Sequence, residues 1–256
     1  SALFIQKELI RKRPYVRAVA SNVDRKVTND GNAPLVRIFF QRRPLLEEKI
    51  LLHFATLLPE SGMDGELFLS PFKVDLGDSL NDLIQGGWLL WKDDLLRIHP
   101  VIRLVCIEEL SPTVETCDAF LLWFRGQYDQ TTYDREKFTQ IASLYETASE
   151  VLQETDGLWA NEAGYLWLVL MESRRALTCN HRAVELREQN TPGSSKLATA
   201  YSNLGSAYGA LGDHEKALEY QRKALAIQEQ VLPPSHPDLA TSYNNVGTVS
   251  YTHLTL

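Results

Sequence analysis

The sequence predicts a mainly α fold in which three short helices and a small β-hairpin precede a stack of antiparallel helix pairs. The pattern that runs from Leu197 to Gly205 returns from Leu239 to Gly247, 42 residues later at every matched position. Self-similarity at a period of this size is typical of helical repeat arrays. Upstream, short apolar stretches bounded by Pro or Gly precede two runs of strand-like residues at 88–91 and 95–99.

The composition is that of a globular protein in a reducing compartment. Of the 256 residues, 44% are hydrophobic, which is enough to build cores and excludes a disordered chain. The three cysteines have neither the number nor the spacing of a disulfide framework or a zinc site. No run of about 18 apolar residues occurs, so we expect no membrane span and a cytoplasmic location. Because the first residue is Ser rather than Met, we also expect a fragment of a longer protein.

The charge is unevenly spread along the chain. The formal net charge is −7, yet residues 1–43 hold ten Lys or Arg and three acidic residues, an excess of seven positive charges. A basic segment on an acidic body indicates either contact with nucleic acid or pairing with an acidic surface elsewhere in the parent protein. The basic residues are not interleaved with a binding motif, which favours pairing with protein.

Residues 44–112 have the order of a winged-helix domain, which is three helices followed by a β-hairpin. An apolar helix is expected over 45–58 between two prolines, and a second short helix over 65–72. Asp78 or Ser79 is expected to cap the third helix, at 80–85.

A hairpin and a further helix complete this predicted domain. The two strands flank a polar turn at 92–94, and Pro100 opens the helix that follows. In DNA-binding winged helices the third helix reads the major groove. Here that helix contains Asp78 and Asp82 but no Lys or Arg, so DNA phosphates would repel it and DNA binding is not expected.

In the repeating region the sequence predicts pairs of helices. A helix over 197–211 ends at Gly212, and Asp213 caps a second helix over 214–231. The small residues expected where the two helices approach most closely are Gly205, Ala217 and Ala224. The expected buried stripe of the second helix is Ala217, Tyr220, Ala224, Ile227 and Val231.

The spacing Tyr201-x2-Leu204-Gly205-x2-Tyr208, followed by the Gly212 turn and the two alanines, resembles a tetratricopeptide repeat. The 42-residue period resembles the kinesin-light-chain type. A weaker copy lies 41 residues upstream and has Met171 instead of the helix-breaking glycine, which leaves its turn in question.

The resemblance implies an α-solenoid of tetratricopeptide helix pairs at 156–256, with two repeats and the start of a third. Residues 113–155, which include a helix pattern at 138–153, are expected to form linker helices or a degenerate first repeat. The repeat motif is lost at 250–256, which is interpreted as translated sequencing-adapter read-through, with a simple repeat variant as the alternative.

Three segments resemble the winged-helix part of STAND-type signalling ATPases, the group that includes NB-ARC proteins. They are the stretches 47–59, 83–90 and 98–103. Many members carry Met-His-Asp after the wing, and their histidine contacts the β-phosphate of bound ADP. Ile98-His99-Pro100 stands there in this sequence, so the resemblance nominates His99 as an ADP contact. The alternative is that His99 is a helix N-cap.

The sequence lacks the common catalytic motifs. It contains no G-x4-G-K-[ST] phosphate loop and no signature of a nucleophile. We therefore expect no enzyme activity, cofactor or metal for these residues. The resemblance implies ADP or ATP in the parent protein and an upstream nucleotide-binding domain in cis, with residues 1–43 as its trailing basic helical tail.

Binding of a protein or peptide is the remaining candidate function. The first helix of each pair is expected to line the concave side of a solenoid, and an Asn side chain can pair with both the N–H and the C=O of an extended peptide. The candidate peptide-binding residues are Ser202, Asn203, Ser206, Asn244 and Asn245. The alternative is a solvated face.

The sequence is compatible with two functions. The first is a regulatory and partner-sensing fragment of a STAND-type ATPase. The second is a stand-alone tetratricopeptide scaffold or a winged-helix transcriptional regulator.

Overall fold

The structure, a computed structural model, describes residues 45–72, 76–129 and 133–255. The predicted basic tail, 1–43, lies outside the described residues. The chain divides into two compact units, Ser1–Asp129 and Gln130–Leu256. Their boundary falls inside the segment 113–155. The mainly α fold class is confirmed, because helices dominate both units.

The first unit contains five helices and one small sheet within its described residues. Its elements are α1 Leu46–Ala55, β1 Met63–Asp64, α2 Gly65–Leu69, α3 Gly77–Gln85, β2 Leu89–Lys92, β3 Leu95–Ile98, α4 Pro100–Leu110 and α5 Val114–Asp129. The sheet order is β1-β3-β2, and both pairings are antiparallel. Helices α1, α2 and α3 thus precede the β2–β3 hairpin in the predicted order.

The hairpin turn forms from two aspartates. Lys92 pairs with Leu95, so only Asp93 and Asp94 lie between the strands. Both have left-handed backbones, with φ of 54° and 62°. This is the conformation that a two-residue type I′ turn needs, and Asp tolerates it better than most residues because its short side chain bonds locally. Buried Leu96 and Ile98 place one face of β3 on the core of the unit.

The predicted cap of α3 is wrong. The helix begins at Gly77, and its N-cap residue Leu76 makes no side-chain capping bond. Asp78 is therefore in the first turn, where a carboxylate complements the partial positive charge of the helix start. Ser79 is buried at 9% exposure, so it faces the core rather than the helix end.

The second unit is a succession of helices, each packed on the next. They are α6 Arg135–Val151, α7 Leu158–Val169, α8 Ser173–Asn190, α9 Ser195–Ala210, α10 His214–Val231 and α11 Pro237–Thr255. The predicted helix 138–153 corresponds to α6, which packs on α7. Among the described residues of both units, no helix has the length and apolar character needed to cross a membrane.

The turns between paired helices are alike in both copies. Gly212 has φ +83°, the Asp213 amide donates to the Tyr208 carbonyl at 3.0 Å, and the Asp213 side chain caps α10. In the weaker copy Met171 takes φ +64°, and the Glu172 amide donates to the Trp167 carbonyl at 2.8 Å. The turn therefore forms without glycine, with a methionine in left-handed conformation.

The predicted buried stripe of α10 is correct only in part. Ala217 and Ala224 are fully buried, but Val231 is 45% exposed. Gln221 and Gln228 are buried instead. Two apolar residues of other helix patterns, Leu211 and Leu104, are also exposed. Periodicity assigns a face to apolar residues only, and so it does not reveal a glutamine that is buried because it bonds to a neighbouring helix.

Close approach of paired helices is confirmed at the predicted glycine. A Cβ on Gly205 would lie 3.0 Å from the Gln221 amide nitrogen and 3.1 Å from the Ala217 carbonyl oxygen. In the upstream copy, Gly164 lies against Asn180 in the same way. A larger side chain at either position would crowd the facing helix, which accounts for the glycine at both.

Candidate functional site

His99 is the N-cap of α4. Its backbone is extended, with φ −65° and ψ 136°, and its Nδ1 accepts the Val101 amide at 3.2 Å. Pro100 follows at the first helical position, where its missing N–H has no bonding role. The structure thus gives His99 the capping role that was the alternative to a nucleotide contact. The ADP contact stays a prediction.

The first helices α7, α9 and α11 share one row of mostly half-exposed or exposed positions, which we name the first-helix stripe. In α7 it consists of Leu158, Glu162, Tyr165 and Val169. In α9 it consists of Thr199, Ser202, Asn203, Ser206 and Ala210. In α11 it consists of Thr241, Asn244, Asn245 and Thr248. Glu162 is the one member of the row that is nearly buried, at 7% exposure.

The two predicted serines are bonded within their own repeat. The Ser202 hydroxyl donates to the Gln221 side-chain oxygen at 3.2 Å, and the Gln221 amide donates back to the Ser202 carbonyl at 3.0 Å. Ser206 donates to the Ser202 carbonyl at 2.9 Å. The Ser202 hydroxyl therefore helps to join α9 to α10, whereas the Ser206 hydroxyl donates within α9. What both hydroxyls retain for a ligand is acceptor capacity.

Asn203 is part of a bond network between neighbouring repeats. Its amide nitrogen donates to the Asn161 side-chain oxygen at 3.2 Å, and the same oxygen accepts from Arg187 at 3.2 Å. Arg187 also donates to the carbonyls of Asp156 at 2.9 Å and Lys196 at 2.7 Å. Asn203 keeps one N–H and its own oxygen for another partner.

Sequence reasoning did not identify Asn161 or Arg187. The repeat pattern gave no signal for Asn161, because at the 41-residue offset of the upstream copy it corresponds to Ser202. Arg187 is only 3% exposed. Burial lowers the pKa of its guanidinium, while the carboxylates of Asp156, Glu154 and Glu162 act in the opposite direction. These acids compensate for burying the charge.

The two remaining predicted residues are uncommitted. Asn244 is exposed and Asn245 is half-buried. Within the part of the chain that the structure describes, neither carboxamide has a hydrogen-bond partner. Their neighbours do, because Ser242 bonds to Gln228 and the Tyr243 hydroxyl donates to Glu229 at 2.6 Å. The structure therefore holds α11 in place through other side chains and leaves both asparagines available.

A cysteine and a histidine also meet in the first unit, but not as a nucleophilic pair. The Cys117 sulfur lies 3.4 Å from the His53 Nε2, which is also 3.0 Å from the Thr116 hydroxyl. Cys117 is fully buried, and burial raises the pKa of its thiol to about 11. A protonated thiol without access to solvent is a poor nucleophile.

One family model matches part of the second unit. The family model described as tetratricopeptide repeat matches residues 170–230 and 196–254. The C-terminal region therefore contains tetratricopeptide repeats, which suggest a scaffold for protein–protein interaction. Among solved structures, the crystal structure of BtubC (BKLC) from P. vanneervenii is similar, with 18% identity and a TM-score of 0.41. The similarity covers 58% of this chain and 69% of that chain. No curated protein matches the sequence.

Proposed function

We propose that the tetratricopeptide repeats bind an extended segment of a protein partner along the first-helix stripe, on the concave side of the solenoid. The observation that carries this proposal is the pair Asn203 and Asn245, which occupy the same position of the first-helix stripe in α9 and α11, 42 residues apart. The Asn203 carboxamide is held by the side-chain oxygen of the buried Asn161 at 3.2 Å. The Asn245 carboxamide is half-buried and uncommitted in the described residues.

An extended peptide fits the hydrogen-bonding groups that the stripe does not use internally. Asn245 and its neighbour Asn244 each offer two N–H donors and an acceptor oxygen, which match the alternating C=O and N–H groups of an extended backbone. Asn203 adds an acceptor one repeat earlier. Because Arg187 and Asn161 hold Asn203 in place, little side-chain entropy is lost there on binding.

The test is selection of peptides from a random dodecapeptide phage library on the full 256-residue chain. The dissociation constant of an enriched synthetic peptide is then measured by fluorescence anisotropy. Asn245→Ala should weaken binding about tenfold, because a buried peptide amide would lose its partner. Gln230→Ala is the matched control, since it removes an exposed carboxamide of α10 outside the stripe.

Two results would contradict the peptide site. One is an unchanged affinity for Asn245→Ala. The other is an equal loss in the Gln230→Ala control, which would indicate a general effect on the repeats rather than contact with the peptide.

We further propose that the first unit is the winged-helix part of a STAND-type ATPase, with the repeats as its sensor. The order of three helices before a hairpin, and His99 at the start of α4, support this proposal. In such a protein, partner binding at the repeats would shift the equilibrium between ADP-bound off and ATP-bound on states. A parent gene without a phosphate loop within roughly 300 residues upstream would refute it.

The alternative is a stand-alone scaffold or a winged-helix transcriptional regulator. An electrophoretic mobility shift assay with duplex DNA distinguishes the scaffold from the transcriptional regulator. Binding that weakens steeply as salt rises would favour the regulator. The acidic first turn of α3 argues against DNA binding through that helix.

A further inference from the structure

The first-helix stripe changes character from one repeat to the next. In α7, three of its four positions are apolar, namely Leu158, Tyr165 and Val169. The residues 41 positions later, Thr199, Ser206 and Ala210, are small or polar. Tyr165 is 47% exposed and Val169 is 36% exposed, one helical turn apart on the same face.

A further exposed apolar residue, Met171, follows the end of α7 and is 79% exposed. Single exposed apolar residues are ordinary, but two on successive turns of one helix face, at one end of a polar stripe, indicate an interaction site. A ligand side chain that covers Tyr165 and Val169 would remove apolar area from water, which favours binding.

The exposed and half-exposed positions of the stripe are also uncharged, because none of them is Lys, Arg, Asp or Glu. Glu162 is the one acidic residue of the stripe and is only 7% exposed. It is one of three carboxylates that act on the buried Arg187 guanidinium, and its charge is not presented at the surface. A surface without net charge neither attracts acidic nor basic segments, and it complements a ligand whose contacting side chains are uncharged.

We propose that the ligand is an extended segment of a partner protein with one large aliphatic or aromatic side chain seated on Tyr165 and Val169. The neighbouring residues of the segment are uncharged and lie along α9 and α11. This inference rests on the proposed peptide site and adds the chemistry of its occupant. The apolar side chain fixes the register, while the asparagines bond to the backbone.

The experiment uses the peptide enriched from the random dodecapeptide library and two derivatives of it. In one, the largest apolar residue is changed to Ala. In the other, two neutral residues are changed to Asp. The protein variant Tyr165→Ser/Val169→Ala installs the residues that the second repeat has at these positions. Leu104→Ser, which changes a residue of the first unit that is 67% exposed, is the matched control.

We expect the double variant to bind the enriched peptide about tenfold more weakly than the unaltered chain does. The double variant and the unaltered chain should bind the Ala derivative with the same affinity, because the peptide change has already removed the contact that the protein change removes. Leu104→Ser should bind as the unaltered chain does. The dissociation constant should change less than about twofold between 50 and 500 mM NaCl, since no ion pair forms. The Asp derivative should bind the unaltered chain more weakly than the enriched peptide does, because the stripe offers no positive charge to pair with the added carboxylates.

The outcomes separate this inference from the proposed function. If Asn245→Ala weakens binding but the double variant does not, the apolar contact is wrong and the peptide site stands. Enriched peptides with many charges, or affinity that falls steeply with salt, would also overturn the inference. If no peptide is enriched, or if neither change matters, both proposals fail.

Discussion

Substitution of Gly157 by Ala should destabilise the repeats more than the same substitution at an exposed glycine. Gly157 precedes α7 and has φ +62°. A Cβ there would lie 2.9 Å from the carbonyl oxygen and 3.1 Å from the Cα of Ala183. Those are backbone atoms of α8, so no flexible side chain can move away. Gly212 is the matched control, because it has φ +83° with no atom within 4 Å of a Cβ.

The expected free energies of unfolding follow from these two sites. An L-residue in the left-handed conformation costs about 1–2 kcal/mol. Part of this is offset in both variants, since Ala reduces the entropy of the unfolded chain by about 0.4–1 kcal/mol. Crowding against backbone adds about 1–3 kcal/mol, and it applies to Gly157 alone. Gly212→Ala should thus lower the free energy of unfolding by about 1 kcal/mol, and Gly157→Ala should lower it by about 2–4 kcal/mol.

Urea denaturation followed by circular dichroism measures both losses. Hydrogen exchange at the Trp159 and Ala160 amides adds a local reading, because repeat proteins can unfold in parts. Both amides donate at 2.8 Å to the carboxylate of Glu154, which is 2% exposed. In Gly157→Ala these amides should exchange faster. Equal losses in the two glycine variants would refute the argument from close approach.

Three further predictions concern other parts of the chain. Met171→Gly should stabilise the repeats by about 0.5–1 kcal/mol in urea denaturation, because it removes a left-handed methionine; destabilisation would show that the exposed side chain has a structural role. Burial lowers the pKa of His53, so the unfolded state binds the proton more readily and stability should be lost as the pH falls below about 6.5. Unfolding free energies between pH 8 and 5 measure this loss, and a His53→Gln variant that keeps the same slope would disprove the assignment. Burial raises the thiol pKa values of Cys106 and Cys179 to about 12 and that of Cys117 to about 11, so a thiol reagent at pH 8 should react slowly with the native chain and fully in 6 M guanidinium; one rapid thiol in the native state would contradict this.

Local chemistry made several elements predictable. Gly212 and Asp213 act on backbone groups only a few residues away, so their roles as helix stop and N-cap follow from residue type and are confirmed. The hairpin is likewise predicted from strand-like runs around a polar turn. The Gly205 contact follows from the repeat pattern, because repeated small residues indicate repeated close packing.

Partners distant in sequence made the remainder unpredictable. Arg187 bonds to Asn161, 26 residues earlier, and Asn203 bonds to Asn161 across 42 residues. Gln221 is buried because it reaches the carbonyl of Ser202 on the facing helix. A hydrophobic periodicity treats each of these polar side chains as solvent-facing. For the candidate site, the sequence identified the polar row but not which of its members are already bonded.

The sequence by itself determined the helical repeats, their period and the glycine at each close contact, because these depend on local backbone preferences and on a pattern that recurs. Only the tertiary structure decided which polar side chains are used internally and which remain for a ligand. Ser202, Ser206 and Asn203 bond within or between repeats, whereas Asn244 and Asn245 do not in the described residues. The physical reason is that a hydrogen bond needs its partner within about 3 Å, and the packing of helices far apart in the chain sets that distance.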